Sequence, residues 1–435
     1  MTQREAAVVV ASFDGFETEL GGVGVVIGTF LEAYSEIASA VWEGKVPPLV
    51  LISPYLAETS PDYRSFLAQR TSSVVQRSGG NWQKIYHERN AKSLFDVIGN
   101  DTEPYMSEAV EEYSLRAAEI IRSVSNDFRT VIVLAHTLFF SQLRKFDLGH
   151  SNVRVVFIPH KLAAFCDDHL KDVRTRLEAE CAASLVGGDK LGAVAPWVGE
   201  VLKRDYNIAD DQILDVKNGI YVNAERYSGG AQYAEEVLDR CQVAQDKHVI
   251  FYFGRFSELK RVDALLEAWI VANKKCSQVA DQYHLLMLAP VAGDDPHWRD
   301  ATLRKHASQL ERISNSYTLL DEHDSFLPAA MLLSRRTLAA VFPSKHELFS
   351  IAAIEAALLR KYCEIWHTDI PSFQFFKRLS STALFETADD LAELIIGRVE
   401  QTAVMLEQIP DKDLEQELGF AQIYSRAFKR LLMGG

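Results

Sequence analysis

Two doubly wound α/β domains are what this sequence predicts, on three observations. Short Val/Ile/Leu-rich runs alternate with longer amphipathic stretches along the 435 residues, as strands and helices do around a parallel sheet. The apolar runs are continuous rather than alternating, which suits strands covered on both faces. A polar stretch containing Gly229-Gly230 splits the alternation into two series.

The first series predicts strands over 6–13, 49–53, 130–136, 154–160, 191–195 and 213–217, with helices such as 107–125 and 170–183 between them. The second predicts strands over 248–254, 284–289, 317–320, 338–342 and 364–366. The expected organisation is a first domain over 1–220, a linker over 221–245 and a second domain over 246–415. A terminal helix at about 416–435 is expected to pack back on the first domain. Two such units would bracket a cleft, with ligands at the carboxyl ends of the strands. No internal repeat is visible, which argues against a solenoid.

Composition narrows the function classes. Hydrophobic residues make up 48% and charged residues 24% of the chain, a globular mixture rather than a disordered one. The formal charge is −14, from 46 Lys+Arg against 60 Asp+Glu, so general nucleic-acid affinity, which rests on neutralising phosphates, is not expected. No run is read as the roughly 18 apolar residues a membrane helix needs. Residues 6–10 read as a strand and not a signal peptide, because the apolar stretch is short and ends at Asp14. Cys166, Cys181, Cys241, Cys276 and Cys363 are odd in number and lack metal-type spacing, so a reducing, cytoplasmic setting is expected.

Four constellations carry chemistry. Glu19-Leu20-Gly21-Gly22-Val23-Gly24 follows the first strand and precedes a helix predicted over 25–34. Glycines let a backbone turn tightly toward a ligand, and a helix start offers free N–H groups to an anion. The same turn also serves plain strand-to-helix packing. It is not the dinucleotide fingerprint, since Gly28 follows and position 27 is not glycine.

Gly254-Arg255 ends the first strand of the second series, with Lys260 five residues on, near a helix predicted over 262–272. Two cations there suit a diphosphate, Arg by its planar fork and Lys as a point charge. The plainer alternative is a solvated loop.

The third constellation runs from Pro343-Ser344-Lys345-His346-Glu347 through Phe349-Ser350-Ile351 to Glu355-Ala356. A buried strand ends at Pro343, and an apolar helix starts near Ser350. Glu347 then lies in the turn and Glu355 about a turn and a half into the helix. The first N–H groups, from Phe349 to Ala352, point toward an anion. A carboxylate in a mostly apolar helix needs a hydrogen-bond partner, and sugar or ribose hydroxyls serve. A structural ion pair with Lys345, Arg360 or Lys361 is the alternative.

His136 and His160 each end a predicted strand, facing the cleft or satisfied at a core edge. His87 and His323 are weaker candidates, and the remaining histidines lack metal-ligand spacing.

In this order the features resemble the retaining, nucleotide-sugar-dependent glycosyltransferases of the GT-B fold, specifically family four (glycosyl transferases group 1). The resemblance covers most of the length. It rests on Gly21-Gly22-Val23-Gly24, Asn218-Gly219-Ile220, Gly254-Arg255 with Lys260, and Glu347-x7-Glu355. It implies two Rossmann-like domains and a donor that is UDP- or GDP-linked, with no cofactor and no metal.

The resemblance also implies roles. Arg255 and Lys260 would neutralise the donor diphosphate and the charge that grows on it as the sugar leaves. Glu355 would hold the ribose hydroxyls, and Glu347 would stand beside the donor sugar. The N–H groups of Phe349, Ser350 and Ile351 would hold sugar and phosphate. Gly21, Gly22, Val23 and Gly24 would touch the diphosphate from the first domain. His136 would contact the donor sugar and His160 the acceptor side. In such enzymes the acceptor attacks on the face the nucleotide leaves, and a phosphate oxygen takes its proton. Catalysis is then largely positioning and electrostatics.

The chain departs from the pattern in places. Arg261 and Ser350 stand where glycine is common. Ala289-Pro290 replaces a glycine-rich turn, and Arg360-Lys361-Tyr362-Cys363 replaces a glycine-proline turn. These changes point to an unusual donor or acceptor, in specialised or secondary-metabolite biosynthesis.

Over 63–92 there are six basic residues (Arg64, Arg70, Arg77, Lys84, Arg89, Lys92) against one acid, Glu88. They meet an acidic acceptor or an anionic membrane, or form a solvated face. Overall acidity favours a small polar acceptor; self-association as a homodimer stays open. A pseudo-glycosyltransferase, a nucleotide-sugar epimerase and a non-catalytic nucleotide-sugar sensor are competing readings of the same scaffold.

Overall fold

A computed structural model describes residues 4–18, 22–60, 62–86, 103–149, 151–160, 162–165, 169–291, 296–322, 324–347, 349–399 and 412–433. Gly21, His87, Cys166 and His323 therefore lie outside the described residues, as do Arg89 and Lys92. The chain divides into two compact units. Unit 1 comprises Met1–Tyr221 with Gln416–Gly435, and unit 2 comprises Val222–Glu415.

Unit 1 holds a seven-stranded sheet. Its strands are β1 (Arg4–Ala11), β2 (Leu49–Pro54), β3 (Asn81–Ile85), β4 (Phe128–His136), β5 (Val153–Ile158), β6 (Lys190–Ala193) and β7 (Ile213–Asp215). They lie in the order β3-β2-β1-β4-β5-β6-β7, and every pairing is parallel. In register, Val8 lies beside Leu49 on one side and Ile132 on the other. The apolar runs at β1, β2 and β4 are buried on both faces, which is why they lack a period of two. The sequence reading missed β3 because it is a polar edge strand, Asn-Trp-Gln-Lys-Ile, with only Ile85 buried.

The helices of unit 1 include α1 (Gly22–Val41), α2 (Ser65–Ser78), α3 (Glu103–Ser125), α4 (Lys171–Ser184) and α5 (Pro196–Tyr206). The C-terminal helix Phe420–Met433 belongs to this unit and packs on α1. Its Phe420, Tyr424, Phe428 and Leu431 form one buried stripe at helical spacing. Tyr424 meets Phe30 at 5.4 Å between ring centroids, and Phe428 meets Trp42 at 5.7 Å. By length and composition α1 is apolar enough to cross a membrane, which the sequence reading did not register. Its apolar side is instead buried in unit 1, including Val26, Ile27, Phe30, Leu31, Tyr34 and Ile37.

Unit 2 holds β8 (His248–Phe253), β9 (Tyr283–Leu288), β10 (Tyr317–Leu320), β11 (Thr337–Phe342), β12 (Glu364–His367) and β13 (Thr382–Leu384). Their order is β10-β9-β8-β11-β12-β13, again all parallel. The three-residue β13 carries too little pattern to read. Its helices include α6 (Ala231–Arg240), α7 (Val262–Lys275), α8 (Gln278–Gln282), α9 (Pro296–Arg312), α10 (Leu327–Leu333), α11 (Ile351–Leu359) and α12 (Ala388–Val399). Helix α6 falls within the expected linker, yet Ala234, Val237 and Leu238 are buried in the same core as Val249, Phe251 and Ala330. That stretch is an element of unit 2. It read as polar because only one face of a ten-residue helix is apolar.

Both sheets share one logic. The first strand of each unit lies at the centre, and the chain runs outward to one edge before crossing to the other side. The strand order therefore reverses between β1 and β4 in unit 1 and between β8 and β11 in unit 2. In open α/β sheets the carboxyl ends at such a reversal form the ligand crevice.

Candidate functional site

In unit 2 the reversal point gathers two loops. The first follows β8 and carries Gly254, Arg255 and Lys260. The Gly254 N–H donates to Leu288 O at 3.1 Å, and the Phe256 N–H to Pro290 O at 2.9 Å. The buried Tyr252 hydroxyl donates to Arg255 O at 3.0 Å. A Cβ at Gly254 would stand 2.9 Å from that hydroxyl, so glycine is what lets the tyrosine brace the loop. Arg255 is exposed. A short turn, Glu258–Lys260, then leads into α7 through Arg261 at φ 51°, ψ 43°. This left-handed conformation explains why glycine is common there, and Arg261 tolerates it at a cost of about 1 kcal/mol.

The second loop follows β11. Its Lys345 N–H donates to Leu259 O at 2.9 Å, tying the two loops together. Lys260 Nζ and Glu347 Oε1 form an ion pair, with 19% and 9% of the side chains exposed. Ser344 Oγ donates to the same carboxylate oxygen at 2.8 Å. Ser350 is the N-cap of α11, at φ −99°, and its hydroxyl accepts from the Ala353 N–H at 3.3 Å. A capping role is the reason serine suits this position, where glycine's freedom is not needed. Ile351 opens the helix, directly after Phe349 and Ser350. With the Ala353 N–H taken by this cap, the N–H groups of Ile351 and Ala352 are the first-turn donors that lack an intrahelical acceptor and suit an anion.

Glu355 is 8% exposed, and its Oε1 accepts from the Tyr227 hydroxyl at 2.7 Å. Sequence reasoning missed Tyr227. It lies 128 residues away in a polar stretch, on the short turn Glu225–Tyr227, and no local signal pairs the two. Of the alternative ion-pair partners Lys345, Arg360 and Lys361, Arg360 donates instead to Ser380 O at 2.8 Å.

In unit 1, Gly22, Val23 and Gly24 are not a loop before the helix; they are the first turn of α1. A Cβ on Gly24 would stand 2.5 Å from Asp14 Oδ2, so packing against Asp14 demands a glycine here. Asp14 itself shapes the preceding loop, accepting from the Gly15 N–H at 2.8 Å and the Thr18 hydroxyl at 2.6 Å. His136 is the last residue of β4, whereas His160 lies two residues beyond β5, which stops at Ile158. The two rings stack, 5.1 Å apart at 19°, with His136 Nδ1 and His160 Nε2 at 2.8 Å.

One of these two nitrogens must carry the proton and the other accept it. Whichever does, His136 Nε2 is left buried without a partner, a costly state for a polar atom. Burial holds His136 well below the usual histidine range, and the neighbouring His160 adds to the effect. Burial lowers His160 to about 4. Both rings are neutral at pH 7. The next residue, Thr137, sits at φ 72°, ψ 162°, an outlier for a β-branched residue and a sign of strain at a strand end.

Two doubly wound parallel units give the fold of the GT-B class of architecture. No protein-family model matches the chain, and no curated protein matches it in sequence. Solved structures do. The N-terminal domain of the Candida albicans trehalose-6-phosphate phosphatase superposes with a TM-score of 0.65 at 12% identity, over 99% of this chain and 97% of that one. The UDP-forming trehalose-phosphate synthase of Burkholderia xenovorans, in complex with glucose-6-phosphate, gives 0.63 at 10% identity, over 98% and 100%. Anabaena HepE, in complex with UDP and glucose, gives 0.56 at 13%, over 99% and 97%.

Proposed function

We propose that this chain is a retaining glycosyltransferase that moves a sugar from a nucleoside-diphosphate sugar, UDP- or GDP-linked, to a small polar acceptor. The observation that carries the reading is the Lys260–Glu347 ion pair at the carboxyl ends of the adjacent strands β8 and β11, beside the exposed Arg255 and the start of α11. Two cations and a helix N-terminus suit a diphosphate leaving group, because each interaction strengthens as negative charge builds on it. Solved structures of the same architecture support the reading, including a UDP-forming trehalose-phosphate synthase and one holding UDP and glucose.

On this reading Arg255 and Lys260 neutralise the diphosphate. Phosphate displaces Glu347 from Lys260, which frees that carboxylate to accept hydroxyl protons from the donor sugar. Glu355, fixed by Tyr227, takes the ribose hydroxyls, and Phe349, Ser350 and Ile351 offer their N–H groups. Gly22, Val23 and Gly24 are assigned to the diphosphate as well, at the start of α1. His136 Nε2 serves the donor sugar and His160 the acceptor. A leaving-group phosphate oxygen takes the acceptor's proton on the face where the nucleotide departs. This keeps the configuration at the anomeric carbon and asks no side chain to act as general base.

The test is a panel of UDP- and GDP-sugars assayed for nucleotide release with and without polyol and sugar-phosphate acceptors. Acceptor-dependent release supports transfer. Turnover of donor alone to an isomer marks an epimerase, and tight donor binding without release marks a sensor.

A further inference from the structure

Unit 1 carries a groove of about 680 Å³ along its sheet edge, between β3 and α2. The volume falls in the range of roughly 300–1,000 Å³ typical of small-ligand sites. Its helical wall is unusual. Ser65, Gln69, Ser72 and Gln76 recur at four- and three-residue steps along α2, and so share one face. Solvent-facing helix stripes ordinarily carry Lys and Glu. This one carries only hydroxyls and amides, opposite the indole of Trp82.

That indole is held in place. Its N–H donates to Ser53 Oγ at 2.9 Å, and Lys84 Nζ stands 4.5 Å from the ring centroid. Lys84 is itself tied to Glu17 at 2.5 Å. Two further cations of the basic stretch over 63–92 are also held by partners. Arg70 pairs with Glu32 at 2.9 Å, and Arg77 donates to Ser73 Oγ at 2.6 Å. Among the described residues that line the groove, the cation is Lys84, already paired with Glu17, and Glu58 adds a negative charge, a lining that does not favour a phosphate or sulfate.

We propose that this groove binds a neutral carbohydrate. An aromatic face covers the C–H side of a pyranose, while amides and hydroxyls, which both donate and accept, pair with its hydroxyls. A fixed ring and a rigid helix reduce the ordering cost of binding. The groove lies at β3, three strands from β4 and His136, and so about 14 Å across the sheet at ~4.8 Å per strand. It is therefore separate from the histidine pair, and at about 680 Å³ it has room for more than one sugar unit. The inference stands on the groove's own chemistry and does not depend on the transferase reading.

Isothermal titration of the full chain with maltohexaose, cellohexaose and xylohexaose tests it, with glucose-6-phosphate and a heparin hexasaccharide as charged probes. At least one neutral hexasaccharide should bind, with the charged probes weaker. The Gln69→Ala/Gln76→Ala variant, exposed and free of fold consequences, should weaken binding about tenfold, as two lost hydrogen bonds imply. Trp82→Ala should abolish it, with a thermal melt confirming that the variant folds. Failure of all three neutral sugars to bind overturns the proposal. So does preference for a charged probe, undiminished binding in Gln69→Ala/Gln76→Ala, or self-association of the chain that this variant abolishes.

Discussion

Lys260 and Glu347 are 87 residues apart in sequence and meet as an ion pair at the ends of two adjacent strands. Each protects the other: removing one leaves a largely buried charge uncompensated. Lys260→Ala should therefore cost about 2 kcal/mol of stability in a urea melt and weaken nucleoside-diphosphate binding at least about tenfold. Glu347→Gln keeps the volume and removes the carboxylate that competes for Lys260. It should tighten diphosphate binding while lowering sugar transfer. Calorimetry on both variants separates a binding pair from a purely structural one, in which both substitutions would leave nucleotide affinity unchanged.

Tyr227 holds Glu355 by one hydrogen bond. Tyr227→Phe leaves a buried carboxylate oxygen short of a donor and should cost about 1–2 kcal/mol. If Glu355 receives ribose, the same variant weakens nucleoside diphosphate and leaves inorganic pyrophosphate affinity alone. Competitive binding of the two ligands checks this.

His136 is buried and His160 half-buried, both neutral in the fold, with His160 at about 4 against an ordinary 6.5. Between those values the unfolded chain binds protons that the folded chain refuses, so stability rises with pH across the window. It should fall as pH drops from 7 toward 4, by about 2 kcal/mol for His160 after allowing for its partial exposure. The double variant His136→Gln/His160→Gln should show a flatter profile. Proton NMR of the imidazole C–H signals should find neither ring titrating above pH 5.

The stripe Phe420, Tyr424, Phe428 and Leu431 covers the apolar face of α1. Phe428→Ala should cost about 3–4 kcal/mol through a cavity beside Trp42. Deleting residues 416–435 exposes a helix long and apolar enough to span a membrane. Flotation with phosphatidylcholine vesicles should capture the truncated chain and not the full one.

Much of the scaffold was legible because doubly buried strands are short, apolar and continuous. Val8–Val10 and Val131–Leu134 declare themselves. The edge strand Asn81–Ile85 does not: it reads as polar loop, since only the residue at its end meets the core. The cations and glutamates at 255, 260, 347 and 355 were visible from spacing. The partner of Glu355 was not, because Tyr227 lies 128 residues away and comes close only through the fold. The glycine turn was misplaced by one helical turn, for glycine marks close approach, here to Asp14, as readily as a ligand loop. Arg261 gives the converse lesson. It looked like a departure from glycine, and the backbone kept the left-handed shape regardless.

The most direct measurement is a crystal structure of the chain with the nucleoside diphosphate that raises its melting temperature most. Both phosphates should lie at about 3 Å from the Arg255 guanidinium and Lys260 Nζ, at the head of α11, with Glu347 released from the lysine. Phosphates bound elsewhere, with the Lys260–Glu347 pair intact, would contradict this placement.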